Sequence, residues 1–177
     1  MKKTIITLAI ILFTATLVSA QYQPDKKTLG VLVGIGNGDL PGTGGIPISV
    51  EYNFMNIIDK KIQLGVLGAF ASTKEDFNWN SGKGYFRYTN FILAAEANYH
   101  FLPGKEFDPF AGLSLGFNIA SASWNWDSGT GSSPSASSSG LFWNIQGGFN
   151  YWFSPKWAFQ FRLGYFPYIG VGVTAAL

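Results

Sequence analysis

The sequence has no cysteine, which excludes a disulfide scaffold, thiol catalysis, thiolate-ligated zinc and a lipid anchor on an N-terminal Cys. Charge is also scarce. Asp, Glu, Lys and Arg make up 12% of its 177 residues, roughly half the ~25% that keeps a typical soluble domain wetted. Only one histidine is present, so imidazole clusters for metals or proton relays are out. No apolar run reaches the roughly 20 residues of a spanning helix. What the chain does have is 22 glycines and 17% aromatics, a composition too hydrophobic for disorder. These features describe one β-rich unit whose surface is not mainly turned to water.

The longest apolar stretch is Ile5 to Val18, preceded by Lys2 and Lys3 and followed by Val18-Ser19-Ala20. A basic start, an apolar middle of about 14 residues and a small-residue end are the parts of a secretory signal peptide. We therefore expect residues 1–20 to be a leader, cut between Ala20 and Gln21, with 21–27 a short tail and 28–177 the folded unit. Without the leader, ten basic and ten acidic side chains remain. A neutral mature chain offers no basic patch for nucleic acid.

From Thr28 onward the apolar residues recur at every second position. Eight runs follow this pattern: Thr28–Gly36, Ile46–Phe54, Lys61–Thr73, Gly84–Phe101, Pro109–Trp124, Gly140–Phe153, Trp157–Phe166 and Tyr168–Leu177. One face carries residues such as Val31, Val50, Val66, Leu93, Leu115, Ile145, Phe159 and Val171. The other carries Gly30, Ser49, Glu51, Asn53, Gln63, Glu96, Asn98, Ser114, Asn144, Gln146, Gln160, Arg162 and Thr174. Alternation by itself fits either a soluble barrel or its inside-out counterpart. Charge placement separates them: only Glu51, Arg87, Glu96 and Arg162 fall well inside the runs, and the polar face is otherwise Gly, Ser, Asn and Gln. A soluble barrel needs Lys and Glu along its outer face. The pattern therefore predicts an all-β, eight-stranded antiparallel up-and-down transmembrane β-barrel, apolar outside and polar within.

Connections agree with that reading. Long segments (Asn37–Gly45, Lys74–Lys83, Asn125–Ser139) mostly alternate with tight ones (Met55–Lys60, Leu102–Asp108, Ser154–Lys156), as outer loops and periplasmic turns do. The link Phe166–Tyr168 is short where a long loop is expected. Aromatics gather near run ends, among them Tyr99, Phe101, Tyr151 and Phe153 at one end and Phe70, Tyr85, Trp143 and Tyr165 at the other, forming two interfacial girdles.

The stretches Ala95-Glu96-Ala97-Asn98-Tyr99-His100-Phe101, Phe107-Asp108-Pro109-Phe110-Ala111-Gly112-Leu113-Ser114-Leu115-Gly116 and Gly147 to Trp157 through Leu163-Gly164-Tyr165 resemble the small outer-membrane β-barrel proteins of the OmpA/OmpX-like group. The resemblance spans the mature chain and is architectural. It implies a bacterial outer-membrane location, outer-membrane lipid around the barrel, insertion as a monomer by the barrel-assembly machinery, and commonly no enzymatic activity. Members usually finish on an aromatic residue, where this sequence has Leu177.

Candidate chemistry is sparse. His100 falls inward at the turn end of its strand, away from any Ser–acid pair near the outer leaflet, so no catalytic residue is assigned. One His with dispersed carboxylates has no metal-ligand spacing, and no cofactor is implied. Gly34-Ile35-Gly36-Asn37-Gly38 opens no helix and reads as turn chemistry rather than a phosphate loop. Glu51, Glu96 and Arg162 share inward parity and the same half of the barrel, and we expect them to pair across the lumen. Trp79, Trp124 and Trp126, placed in or beside the long loops, are the candidate binding aromatics. Four functions stay open on these residues: a structural envelope barrel, an adhesin-like binder acting through those tryptophans, a narrow solute pore, and a lipid enzyme.

Overall fold

A computed structural model of the protein describes residues 25–36, 45–79, 82–128 and 134–177. Eight strands follow in chain order: β1 Thr28–Ile35, β2 Ile48–Ile57, β3 Ile62–Trp79, β4 Gly82–His100, β5 Phe107–Ser128, β6 Ser135–Trp152, β7 Trp157–Gly164 and β8 Ile169–Ala176. Each pairs antiparallel with its neighbour in sequence, and β1 also pairs with β8, closing the barrel. Closure leaves no sheet edge within the membrane, where an unpaired backbone would find no water. The eight-stranded up-and-down barrel expected from the periodicity is the fold.

The period-two pattern sets the two faces. Along β1, Thr28, Gly30, Leu32 and Gly34 are buried while Leu29, Val31, Val33 and Ile35 are exposed. The exterior is a continuous apolar band, with Phe117 as much as 69% exposed. No water-soluble domain sustains so large an apolar surface. Aromatic pairs mark its ends: Tyr99 and Phe101 meet edge-on at the turn end, and Trp143 stacks on Tyr165 at the loop end.

Strands β3 to β6 run further at the loop end than the alternation indicated, whereas β1, β7 and β8 are one or two residues shorter than expected. Lys74–Lys83, expected as a loop, is mostly strand: Thr73 to Trp79 pair with Tyr88 to Gly82. The third loop, expected over Asn125–Ser139, contracts likewise, because β5 continues to Ser128 and Ser135 to Gly140 pair with Ser123 to Asn118. The Ser-rich segment has weak strand preference of its own, and pairing with β5 overrides it. Lys74, Glu75, Asp76, Lys83 and Asp108 are consequently strand residues, so charge is less confined to connections than expected. At the other end β2 continues to Ile57 past an irregularity between Asn53 and Met55, and the turn shrinks to Ile58, Asp59 and Lys60, all at positive φ. The result is a lopsided barrel. β1, β7 and β8 have 8 residues each, whereas β3 to β6 have 18, 19, 22 and 18. About 9–11 residues suffice to cross a membrane, so β3–β6 rise beyond it as a four-stranded blade.

Candidate functional site

The lumen is the most organised part of the molecule. Glu51 on β2, Glu96 on β4 and Arg162 on β7 point inward because each shares the parity of the glycines and amides around it, and the barrel brings them together. Arg162 Nη1 lies 2.6 Å from Glu51 Oε1 and 3.3 Å from Glu96 Oε2. All three are at most 3% exposed. So much charge out of water persists only when paired and hydrogen-bonded; Arg162 donates to Glu96, and neighbouring amide and hydroxyl groups donate to the two carboxylates. Gln160 Nε2 donates to Glu51 at 3.2 Å, Asn98 Nδ2 to Glu96 at 2.7 Å, and Ser114 Oγ to Glu96 at 3.3 Å. Thr174 then donates to Gln160, and Gln146 to Asn98. The guanidinium also lies 5.8 Å from the Phe110 ring.

The network reaches the loop end through Asn144. Its Nδ2 donates to Gln146 Oε1 and to the Phe166 carbonyl, and its Oδ1 accepts from the backbone N–H groups of Tyr165 and Phe166. One side chain thereby fixes the short β7–β8 connection onto the polar core. Above it the lumen turns apolar: Leu67, Ala69, Ala71, Ile92, Ala94, Phe142 and Phe166 form a buried cluster. These share inward parity with the polar residues, and sequence reading missed them by treating the inner face as uniformly polar.

At the turn end, His100 is 5% exposed and its Nδ1 lies 2.7 Å from Oδ2 of Asp108. Placing Asp108 in a turn hid this pairing, although the two residues flank a short connection on the same face. A His–acid pair is two parts of a hydrolytic triad, but the inward serine in this half, Ser114, is engaged with Glu96 and Gln146. A cavity of about 10 Å³ lies beside the pair, bordered by Asn53, Gln63, Asn98 and Asn150; that is about one water's room. Among the described residues no group of three His, Asp or Glu converges as a metal site.

The tryptophans are not loop residues. Trp124 is 3% exposed on β5, packed 4.8 Å from the Phe86 ring and over Gly84, where any Cβ would collide with it. Trp126 meets it edge-on at 5.4 Å, and Trp79 ends β3. Phe77, Phe86 and Trp124 form the aromatic inner face of the blade. Trp124 is therefore an internal brace, not a platform open to ligand. Residues 1–24, which include the expected leader and the Ala20–Gln21 cleavage position, lie outside the described residues.

Residues 5–174 match the family described as outer membrane protein β-barrel domain. The chain belongs to that family. It is accordingly a bacterial outer-membrane protein. Among solved structures, this outer-membrane barrel is similar to Ail of Yersinia pestis, described in complex with the heparin analogue sucrose octasulfate. The two are 18% identical over 84% of this chain and 92% of that one, with a TM-score of 0.43. It is also similar to the N-terminal β-barrel domain of Pseudomonas aeruginosa OprF: 13% identity, 86% and 98% covered, TM-score 0.47. Neisserial surface protein A gives 17% identity, 88% and 98% covered, and a TM-score of 0.49. No curated protein matches the outer-membrane barrel.

Proposed function

We propose that this outer-membrane barrel is a non-enzymatic, non-conducting envelope protein that spans the membrane as a rigid post and presents its β3–β6 blade outside the cell. The observation that supports this reading is the filled lumen. Arg162, at 0% exposure, ties β7 to β2 and β4, while Phe142, Phe166, Ile92 and Leu67 fill the half above. Eight strands leave an interior only wide enough for side chains, so ions have no continuous aqueous path. The His100–Asp108 pair serves the same end as a hydrogen-bonded brace at the turn end, not as a catalytic dyad. We further propose that the leader is removed between Ala20 and Gln21, and that the chain is inserted by the barrel-assembly machinery as a monomer surrounded by outer-membrane lipid.

Single-channel recording in planar bilayers tests the proposal. The refolded protein should show no steady conductance, and Arg162→Ala should introduce brief openings by removing the central cation. Stable channels in the unaltered protein would overturn it in favour of a pore. Display through the blade is favoured over ligand stacking on tryptophan because Trp124 is covered by its neighbours.

A further inference from the structure

Cross-strand pairing across the outer wall of the blade arranges its side chains in horizontal layers. The first layer, at the end of the apolar band, contains Phe70, Phe91 and Ile119, joined by the pairs Phe70↔Phe91 and Phe91↔Ile119. One step outward are Ser72, Thr89, Ser121 and Ser137, paired in that order. The next layer is Lys74, Arg87, Ser123 and Ser135. The wall thus passes from apolar to hydroxyl to cationic within four residues.

Lys74 and Arg87 sit directly opposite each other. Like charges in that position repel and weaken a sheet. Both are exposed, and neither forms an ion pair among the described residues. Lys83, two steps further out on the same face of β4, is also exposed and outside any such pair. The two opposed cations are held together by a ring: Lys74 Nζ is 4.5 Å and Arg87 Cζ 5.8 Å from the Tyr85 centroid. Cation–aromatic contacts fix where the charges point. Asp76, one layer further out opposite Tyr85, is the nearest carboxylate along this face of β3 and forms no ion pair with either cation among the described residues, so the layer keeps a net positive charge.

Height decides what lies opposite them. Tyr99, in the turn-end girdle, is twelve residues from Arg87 along β4. At a rise of about 3.4 Å per residue and a tilt near 40°, that is about 30 Å across the membrane. The apolar band of such barrels is about 25 Å tall, so Lys74 and Arg87 stand just above it, at the depth of the outer-leaflet headgroups.

We propose that this face is a lipid-binding site: the Lys74–Arg87 pair clamps phosphate on a phosphorylated glycolipid headgroup, while the Ser72–Thr89–Ser121–Ser137 layer takes its sugar and ester oxygens. Two adjacent cations suit a ligand with more than one negative oxygen, since charge-assisted bonds to phosphate are the strong ones, and bound phosphate also relieves their mutual repulsion. The inference rests on the envelope role proposed above and assigns it a partner.

The test measures retention of diphosphorylated lipid A by the refolded full-length barrel, by native mass spectrometry after exchange from phosphatidylcholine vesicles carrying a minor fraction of that glycolipid. Each cation near an anionic leaflet contributes about fivefold in affinity. Lys74→Gln and Arg87→Gln should each weaken retention by about that factor, and the double variant by about thirtyfold. Monophosphorylated lipid A should bind less tightly than the diphosphorylated form, and Lys105→Gln, at the turn end, should leave retention unchanged. The heat-sensitive gel mobility of a closed barrel confirms folding of each variant, and the single variants decide the matter if the double one fails to fold. Unchanged retention in folded Lys74→Gln and Arg87→Gln would overturn the clamp, as would an equal loss in Lys105→Gln. Displacement by inorganic phosphate alone would identify a soluble phosphate as the ligand and also overturn it. Each of these failures leaves the conductance of the barrel untouched, so it is distinguishable from failure of the envelope reading.

Discussion

Arg162 and Glu51 meet across the lumen at 2.6 Å, although β1 and β8 stand between their strands along the shorter way round the barrel. The contact is therefore a strut across the interior and not a neighbour-strand pair. Its energetic content follows from burial. Removing one partner of such a pair typically costs about 3–5 kcal/mol, because the other charge is left unpaired away from water.

Arg162→Ala should accordingly lower the urea midpoint of the barrel in lipid vesicles, with a loss at the lower end of that range where lumen water reaches the stranded carboxylates. Double-mutant cycles with Glu51→Gln and Glu96→Gln should each return a coupling energy of about 0.5–3 kcal/mol. The shorter contact to Glu51 predicts the larger value. Coupling within error of zero for both glutamates would mean that the observed proximity carries no energy.

The outer face should respond to charge according to depth. Leu115 is outward and pairs with Ala95, near the middle of the apolar band, whereas Ser121 is outward in the hydroxyl layer. Leu115→Arg should cost about 2–4 kcal/mol and Ser121→Arg about 0–1 kcal/mol in equilibrium unfolding from vesicles. Equal costs would contradict the placement of the band. Inward Gly65 is unsuitable as a comparison, because a Cβ there would collide with Asn53 and the Tyr52 carbonyl.

Orientation is tested on intact cells. The blade end should face outward, so a cysteine at Ser137 should react with a membrane-impermeant maleimide, and one at Lys156, in a short turn, should react only after lysis. The absence of native cysteine makes the background low. The opposite labelling pattern would invert the barrel.

Much of this was legible in the sequence because a strand has a side-chain period of two, so composition at alternate positions reports directly on the two sides of a sheet. The scarcity of charge on the apolar face told which side meets lipid. Parity likewise gave Glu51, Glu96 and Arg162 a common interior, since any of them turned outward would face hydrocarbon.

Other features were decided only by tertiary structure. Strand ends depended on partners: Ser135 to Ser139 became strand because β5 offers a ladder, and Lys74 to Trp79 because β4 does. Trp124, expected at the rim where its run met the third loop, became a buried brace inside β5 for the same reason. Which inward residues touch depends on the stagger between non-adjacent strands, a quantity absent from local periodicity. The pairing of His100 with Asp108, the Asn144 clasp on Tyr165 and Phe166, and the apolar plug above them all depend on that stagger. The sequence by itself determined a closed barrel, its inside and its outside, through a periodicity intrinsic to each strand. Only the assembled barrel decided the register at which the strands meet, and with it the pairing of the buried charges and the alignment of Lys74 opposite Arg87, because register is a relation between segments far apart in the chain.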